Sequence, residues 1–258
     1  MNHLNESFRQ RMGIPMNEKI TFESLDNILV KTATTLPFEN LCILANIIEP
    51  ITKENLINKI LVRNEGGLCY QLNPLLYFFL LDNGFNAVLV RGDIYNHEIK
   101  DWSKVGRSHV FILLQHESST YLVDTGFGGN LALKPIPLTG ETTASANGEF
   151  RVITKNSEHG DCIFEMKLKY KDTEWKTGYA FDSKRAIADL TELNELQKTI
   201  VEHQHSRFNK TPLITQLTSD GNVTLTDTSF TQWSNGESKK DLIDPHKFKE
   251  LAKLHFGI

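Results

Sequence analysis

The sequence predicts an α+β fold, and three observations carry that prediction. Over the first 85 or so residues the apolar positions recur at helical spacing. From about residue 86 they fall into short β-branched or aromatic runs bounded by turn residues. After about residue 185 helix and hairpin signals mix. At 258 residues the chain can bury a sizeable core without disulfides or metals.

Phe22, Leu25, Ile28 and Leu29 form the first clear helical face. Thr52 is the expected N-cap ahead of Leu56, Ile57, Ile60 and Leu61, and Gly66-Gly67 is the expected stop of that helix. Cys69 opens another helix, which ends near Asn83-Gly84, with Pro74 about one turn in, where it costs little. AVLVRGDIY, SHVFILLQ, TYLVDTGF, FRVITKN and CIFEMKLKY then predict strands of an antiparallel sheet or barrel. Roughly 134–149 reads as a surface loop. Asp189 and Glu192 give a capping-box-like start to a helix over DLTELNELQKTIVEHQ. LITQLTSDGNVTLTD predicts a hairpin around Asp220-Gly221, and Asp244 with Pro245 starts a C-terminal helix.

Composition narrows the function classes. Hydrophobic residues make up 40%, charged residues 23%, and the net charge is −4, so no nucleic-acid or membrane electrostatic footprint is expected. No apolar run approaches the roughly 18–20 residues of a membrane span. The N-terminal MNHLNESFRQRMGIP is polar and mixed in charge, unlike a signal or transit peptide. Cys42, Cys69 and Cys162 are odd in number and widely spaced, which predicts no disulfide framework and no zinc ribbon. A cytoplasmic location is the matching expectation, and the Asn-x-Ser/Thr triplets at Asn5, Asn209 and Asn222 then carry no glycan. The sequence does not set the oligomeric state.

NEGGLCYQLNP, residues 64–74, is where chemistry first enters. Cys69 falls in the first turn of its helix, where free amide N–H groups and the helix dipole stabilise a thiolate. Two glycines before it let the backbone turn sharply and leave room beside the sulfur. A cysteine nucleophile works best with an imidazole beside it and a third group orienting that imidazole. His109 begins the strand SHVFILLQ, and Asp124 lies in TYLVDTGF. A hairpin centred on His116-Glu117 makes His109 and Asp124 cross-strand partners on one face. A longer loop shifts that register. Each residue alone has a plain structural reading: a small buried thiol, a satisfied core histidine, a turn carboxylate. Their joint pattern favours chemistry.

With these residues in view, the sequence resembles an arylamine N-acetyltransferase. Leu36-Pro37-Phe38-Glu39-Asn40-Leu41 resembles that family's N-terminal PFENL segment. Gly66-Gly67-Leu68-Cys69-Tyr70-Gln71-Leu72-Asn73 resembles the block around the acyl-accepting cysteine. Ser108-His109-Val110 and Val123-Asp124-Thr125-Gly126-Phe127-Gly128 resemble the blocks of the other two triad members. His205-Ser206-Arg207-Phe208 and the DGNVTL hairpin resemble the third domain. The resemblance implies a helical bundle (1–85), an antiparallel β-barrel (86–188) and an α/β lid (189–258), around a Cys-His-Asp core like that of transglutaminases and papain.

It also implies roles. Cys69 resembles the acetylated nucleophile, His109 its base and Asp124 the orienting acid. Phe38, Ser108 and Phe127 resemble acceptor-pocket residues. Val105, Gly106, Gly126 and Gly128 match regions lining the coenzyme A cleft, and the Gly126–Gly129 turn offers a nest of amides for phosphate. The implied reaction moves acetyl from acetyl-CoA to an arylamine, arylhydrazine or aryl hydroxylamine, with no metal. The chain departs from the family twice. Glu65 stands where Arg usually precedes the Gly-Gly pair, and Gln71 stands where Glu is usual. A cation-to-anion change cannot keep the same ion pairs. Competing readings are a related amide synthase using another acyl thioester, a thiol hydrolase or protease, and a non-catalytic binding homologue. A metal site at His203-x-His205 lacks a nearby third ligand. Cys42 and Cys162 read as structural.

Overall fold

A computed structural model of the chain describes residues 3–258. The N-terminal part holds helices α1 (His3–Met12), α2 (Leu25–Thr35), α3 (Leu41–Leu44), α4 (Lys53–Leu56) and α5 (Cys69–Asp82), with a two-residue strand β1 (Phe38–Glu39) after α2. The Thr52 side chain accepts from the Asn55 N–H at 3.1 Å, as an N-cap should. α4 runs directly into a π-helical stretch, Ile57–Val62, closed by an i→i−5 bond from Arg63 N–H to Asn58 C=O at 2.9 Å. The helix therefore stops at Val62, four residues before the Gly-Gly pair. Asn64, at φ +59°, turns the chain there, and the glycines serve a close backbone approach instead.

α5 is apolar around most of its circumference and is the buried axis of this part. Its Leu72, Leu76 and Phe79 share one core with Phe8, Ile28 and Ile60 of the surrounding helices. The same core takes in Leu193, Leu196 and Ile200 of α6 (Leu190–Glu202). So α6 packs on the N-terminal helices although it lies far along the chain. Asp189 caps it by accepting from Thr191 N–H at 2.6 Å.

Between α5 and α6 run β2 (Asn86–Asn96), β3 (Asp101–Trp102), β4 (His109–His116), β5 (Ser119–Val123), β6 (Ile136–Pro137), β7 (Thr143–Ser145), β8 (Gly148–Ser157), β9 (Gly160–Leu168) and β10 (Lys176–Ala186). They form one antiparallel sheet in the order β6-β5-β4-β2-β10-β9-β8-β7, with β3 paired to β2. β6 also packs on β8, which curls the sheet into a nearly closed barrel. Phe111, Phe150, Phe164, Tyr179 and Phe181 fill its interior. The opposite faces of β2 and β4 bury Leu89, Val110, Ile112 and Leu114 against the helical core. The 134–149 stretch is mostly loop, but it contributes β6 and β7, and Ile136 is buried.

The C-terminal part is a second sheet of β11 (Leu213–Leu217), β12 (Gly221–Thr226), β13 (Ser229–Ser234) and β14 (Glu237–Leu242), covered by α7 (Pro245–Phe256). Strand order is β1-β11-β12-β13-β14, so Phe38 and Glu39 from the N-terminal part form its inner edge. Asp244 caps α7 through the N–H groups of His246 and Lys247. Among the described residues no helix is long and apolar enough to cross a membrane.

Candidate active site

α5 presents Cys69 as its first residue, with Leu68 extended before it. The sulfur is buried, 3.6 Å from the Ser108 carbonyl oxygen. His109, one residue on, is in electrostatic and hydrogen-bonding reach of Cys69. Its Nε2 meets Asp124 Oδ2 at 2.7 Å. With Nε2 so committed, Nδ1 is the ring nitrogen left for the sulfur. Cys69, His109 and Asp124 thus converge from the start of α5, the start of β4 and the residue just past β5.

The expected register needs a correction. The β4–β5 hairpin turns at Glu117-Ser118, with His116 opposite Ser119 and Ile112 opposite Val123. That register is displaced by two from one centred on His116-Glu117. Asp124 lies level with Phe111, and His109 pairs on its other side with Gly92. A shift of two keeps both side chains on one face, so they meet diagonally. Glu117 takes φ +51° in this turn.

Asp124 is held by four groups. Oδ1 accepts from Asn73 Nδ2 at 2.9 Å and from Gly126 N–H at 2.8 Å. Oδ2 accepts from the Tyr179 hydroxyl at 3.0 Å as well as facing His109. Asn73 lies four residues after Cys69, on the same face of α5. Its Nδ2 also donates to Val110 C=O at 2.8 Å, and its Oδ1 accepts from Thr125 N–H at 2.9 Å. This fully buried amide locks the carboxylate to the cysteine helix. Helical spacing could have flagged Asn73. Tyr179 lies on β10, a strand without a clear sequence signal.

Burial opposes charge on both partners, yet each stabilises the other's charged form. For His109, burial lowers its affinity for the proton, but Asp124 and Cys69 outweigh that and push it up to about 10. Burial raises Asp124, and His109, Asn73 and Gly126 more than reverse it, so it stays below its ordinary 3.8. Burial and the adjacent carboxylate keep Tyr179 neutral and donating, well above 10.0. A histidine raised on folding stabilises fully below the free value of 6.5 and progressively less toward about 10. Asp124 stabilises above 3.8 and loses this as pH falls through its depressed value. The melting temperature should therefore decline as pH rises from 6.5 to about 10. His109→Gln should flatten that decline in a pH series of thermal melts, and an unchanged slope would contradict the pairing.

Aromatic rings surround the imidazole: Tyr179 at 4.5 Å, Phe127 at 4.9 Å and Phe111 at 5.9 Å between centroids. Phe38 is half-buried and meets Phe208 edge-on at 5.6 Å. Gly128, at φ +61°, lies alongside, since a Cβ there would sit 3.7 Å from the Phe38 ring and 3.6 Å from Thr215. Gly126 is fixed by packing: a Cβ there would lie 2.6 Å from Cys69 Cα and 2.7 Å from Asn73 Nδ2. Its amide N–H is committed to Asp124 Oδ1. Ser108 is buried and offers the sulfur its carbonyl. Val105 and Gly106 form a turn leading into Ser108, and Gly106, at φ +76°, has open space where a Cβ would be.

The PFEN segment organises the surroundings. Asn40 Nδ2 donates to Phe208 C=O and Thr211 C=O, both at 2.9 Å, and its Oδ1 accepts from Leu213 N–H at 2.8 Å. It thereby ties the segment carrying Phe208 to Phe38. Gln71 Oε1 accepts from Leu68 N–H at 3.2 Å, a capping contact that needs no charge, which explains how Gln serves at this position. Glu65 pairs with Arg63 at 2.7 Å, and its carbonyl accepts from Arg11 at 2.9 Å. His203 and His205 lie 5.6 Å apart as rings, and no metal-competent group of three or more His, Cys, Asp or Glu occurs among the described residues.

A family model described as N-acetyltransferase matches residues 21–258. The chain belongs to the arylamine N-acetyltransferase family. It is accordingly an acyltransferase. An uncharacterized acetyltransferase of Bacillus subtilis, YvcN, is 39% identical over 240 residues, covering 93% of this chain and 92% of that protein. Arylamine N-acetyltransferase C from Bacillus anthracis superposes with a TM-score of 0.95 at 40% identity, covering 100% and 99% of the two chains. An arylamine N-acetyltransferase from Bacillus cereus superposes with a TM-score of 0.94 at 41% identity over the same shares, and is described by a unique Cys-His-Glu catalytic triad. In this family member the carboxylate on the histidine belongs to an aspartate, Asp124.

Proposed function

We propose that the protein transfers acetyl from acetyl-CoA to an aromatic amine, hydrazine or hydroxylamine by a ping-pong mechanism through Cys69. The convergence of Cys69, His109 and Asp124 in one buried, aromatic-lined site carries this reading. His109 as imidazolium, held by Asp124, and the N-terminus of α5 both favour negative charge on Sγ. The Cys69 thiolate attacks the thioester carbonyl, the C–S bond to CoA breaks, and CoA leaves with the proton from His109. The amine then attacks the acetyl-cysteine carbonyl. Neutral His109 takes the amine proton, and the Cys69 thiolate departs and regains its imidazolium partner. Backbone N–H groups at the start of α5, which have no intrahelical acceptor, stabilise the tetrahedral oxyanion.

Phe38 and Phe127 give a flat acceptor an apolar slot. Acetyl-CoA would approach past the Val105-Gly106 turn and the Gly128-Gly129 segment, where a Cβ at Gly106 or Gly129 would meet open space. The rings packed on His109 keep water from the acetyl-cysteine and favour transfer over hydrolysis. Initial rates measured against amine at several fixed acetyl-CoA concentrations should give parallel double-reciprocal lines. Lines that intersect would mean a ternary complex and would overturn the ping-pong scheme.

A further inference from the structure

Lys59 is a buried cation that the chemistry above does not use. It is 4% exposed and projects from the π-helical stretch Ile57–Val62. Its ammonium donates to Glu39 Oε1 at 2.6 Å and to the Gly66 carbonyl. Glu65 Oε2 lies 3.8 Å away. Glu39 Oε2 in turn accepts from Leu41 N–H at 2.6 Å.

These contacts bear on two functional segments at once. Glu39 directly follows Phe38, one wall of the acceptor slot. Gly66 lies three residues before Cys69. The backbones of the two segments are themselves joined: Glu39 N–H donates to Gly67 C=O and Gly67 N–H to Pro37 C=O, each at 3.1 Å. The approach leaves no room for a side chain, since a Cβ on Gly66 would lie 2.0 Å from the Pro37 oxygen. Strand pairing with β11 and the Asn40 bonds hold the Phe38 segment on its other side, so these two backbone bonds are its only main-chain ties to the Gly-Gly loop among the described residues. The Lys59 ammonium, bonded to Glu39 and to the Gly66 carbonyl, adds a side-chain tie across the same gap. Cys69 itself is held independently by α5 and the Ser108 carbonyl.

We infer that Lys59 is a positioning residue for the acceptor half of the reaction: its ammonium staples the Phe38-Glu39 strand to the Gly-Gly loop and sets the slot's distance from the sulfur. The position preceding the Gly-Gly pair is an anion here, Glu65, so the cation reaches Glu39 from the helix beneath. Glu65 extends close enough to Lys59 Nζ that a cation on residue 65 could reach Glu39 in its place.

The inference rests on the acetyl-cysteine reading, and its test separates the two half-reactions. Acetylation is followed by CoA release in the absence of amine. Discharge is followed by mixing acetylated enzyme with p-anisidine, a neutral aromatic amine. Lys59→Met should leave acetylation within about threefold of wild type and slow discharge by about 30-fold, chiefly through a higher amine KM. Adding Glu65→Arg to Lys59→Met should recover about tenfold of that loss, because Arg supplies the missing cation. Lys59→Met/Glu39→Gln removes both charges, so it leaves no buried carboxylate unpaired, and it is read in place of the single variant if that one does not fold. It should fold and still discharge slowly. Equal loss in both half-reactions, wild-type discharge in the doubly neutral variant, or no recovery with Glu65→Arg would overturn the staple. A wild-type enzyme that forms no acetyl adduct would instead remove the reading on which it rests.

Discussion

Asp124→Asn is expected to lower the rate of Cys69 acetylation by about 10³–10⁴-fold with the fold retained, as loss of a triad carboxylate does when the histidine takes the wrong tautomer. Three donors besides His109 converge on this carboxylate: Asn73 Nδ2, Gly126 N–H and Tyr179 Oη. A carboxylate accepts from all of them at once. An amide has one accepting oxygen and must aim its NH₂ at groups that already donate. If its oxygen stays with Asn73 and Gly126, its NH₂ faces His109 and Tyr179. The imidazole then carries its proton on the nitrogen facing Cys69 and loses the partner that raises it to about 10. Single-turnover CoA release measures the effect. A fall of less than about tenfold would mean that Asp124 does not set the state of His109.

Gly126→Ala is the second large effect, and it acts through space rather than charge. The added Cβ would sit 2.6 Å from Cys69 Cα, 3.0 Å from Cys69 Cβ and 2.7 Å from Asn73 Nδ2. None of these can yield as a flexible surface tip would, because Asn73 is fully bonded and Cys69 opens a buried helix. Either the start of α5 or the Asp124-Gly126 turn must move. A displacement of about 1 Å at the reacting groups costs about 10²-fold in rate, and overpacking adds about 1–3 kcal/mol of destabilisation. Acetylation rate and thermal midpoint should both fall. A variant with wild-type rate would show that the turn has slack the structure does not suggest.

Much of the fold is legible in the sequence, for identifiable reasons. Thr52, Asp189 and Asp244 are caps whose side chains bond the N–H groups their positions predict. Asp220-Gly221 marks the β11–β12 hairpin by turn chemistry. The strands that line the barrel with β-branched and aromatic residues are visible for the same reason. β10 is not, because its buried run is only Gly178, Tyr179, Ala180 and Phe181 between charged ends. With it Tyr179, the hydroxyl on Asp124, is hidden. β14 is exposed along its whole length and has no apolar alternation to show. The β4–β5 register is hidden because HESS lacks the Gly or Asn that would mark a left-handed turn position, and Glu117 takes it instead.

The site divides along the same line. The convergence of Cys69, His109 and Asp124 is legible because a thiol, an imidazole and a carboxylate are the residue types the proposed chemistry requires. The resemblance places Gly126 beside the CoA cleft, whereas the role the structure gives it is room for Cys69 and an amide for Asp124. Asn40 and Lys59 are hidden for a different reason. Their importance lies in partners far along the chain, Phe208, Thr211 and Leu213 for one and Glu39 for the other. A lysine on an amphipathic helix looks like a solvated face until burial is known.

A Cys69 that carries the acetyl group leaves a covalent adduct that can be weighed. Intact mass after mixing with acetyl-CoA, without amine, tests it most directly when wild type and Cys69→Ala are run together. One acetyl group is expected on the wild type and none on the variant, with discharge of the adduct by an aromatic amine. An adduct that persists in Cys69→Ala, or CoA released steadily with no adduct on the wild type, would contradict it.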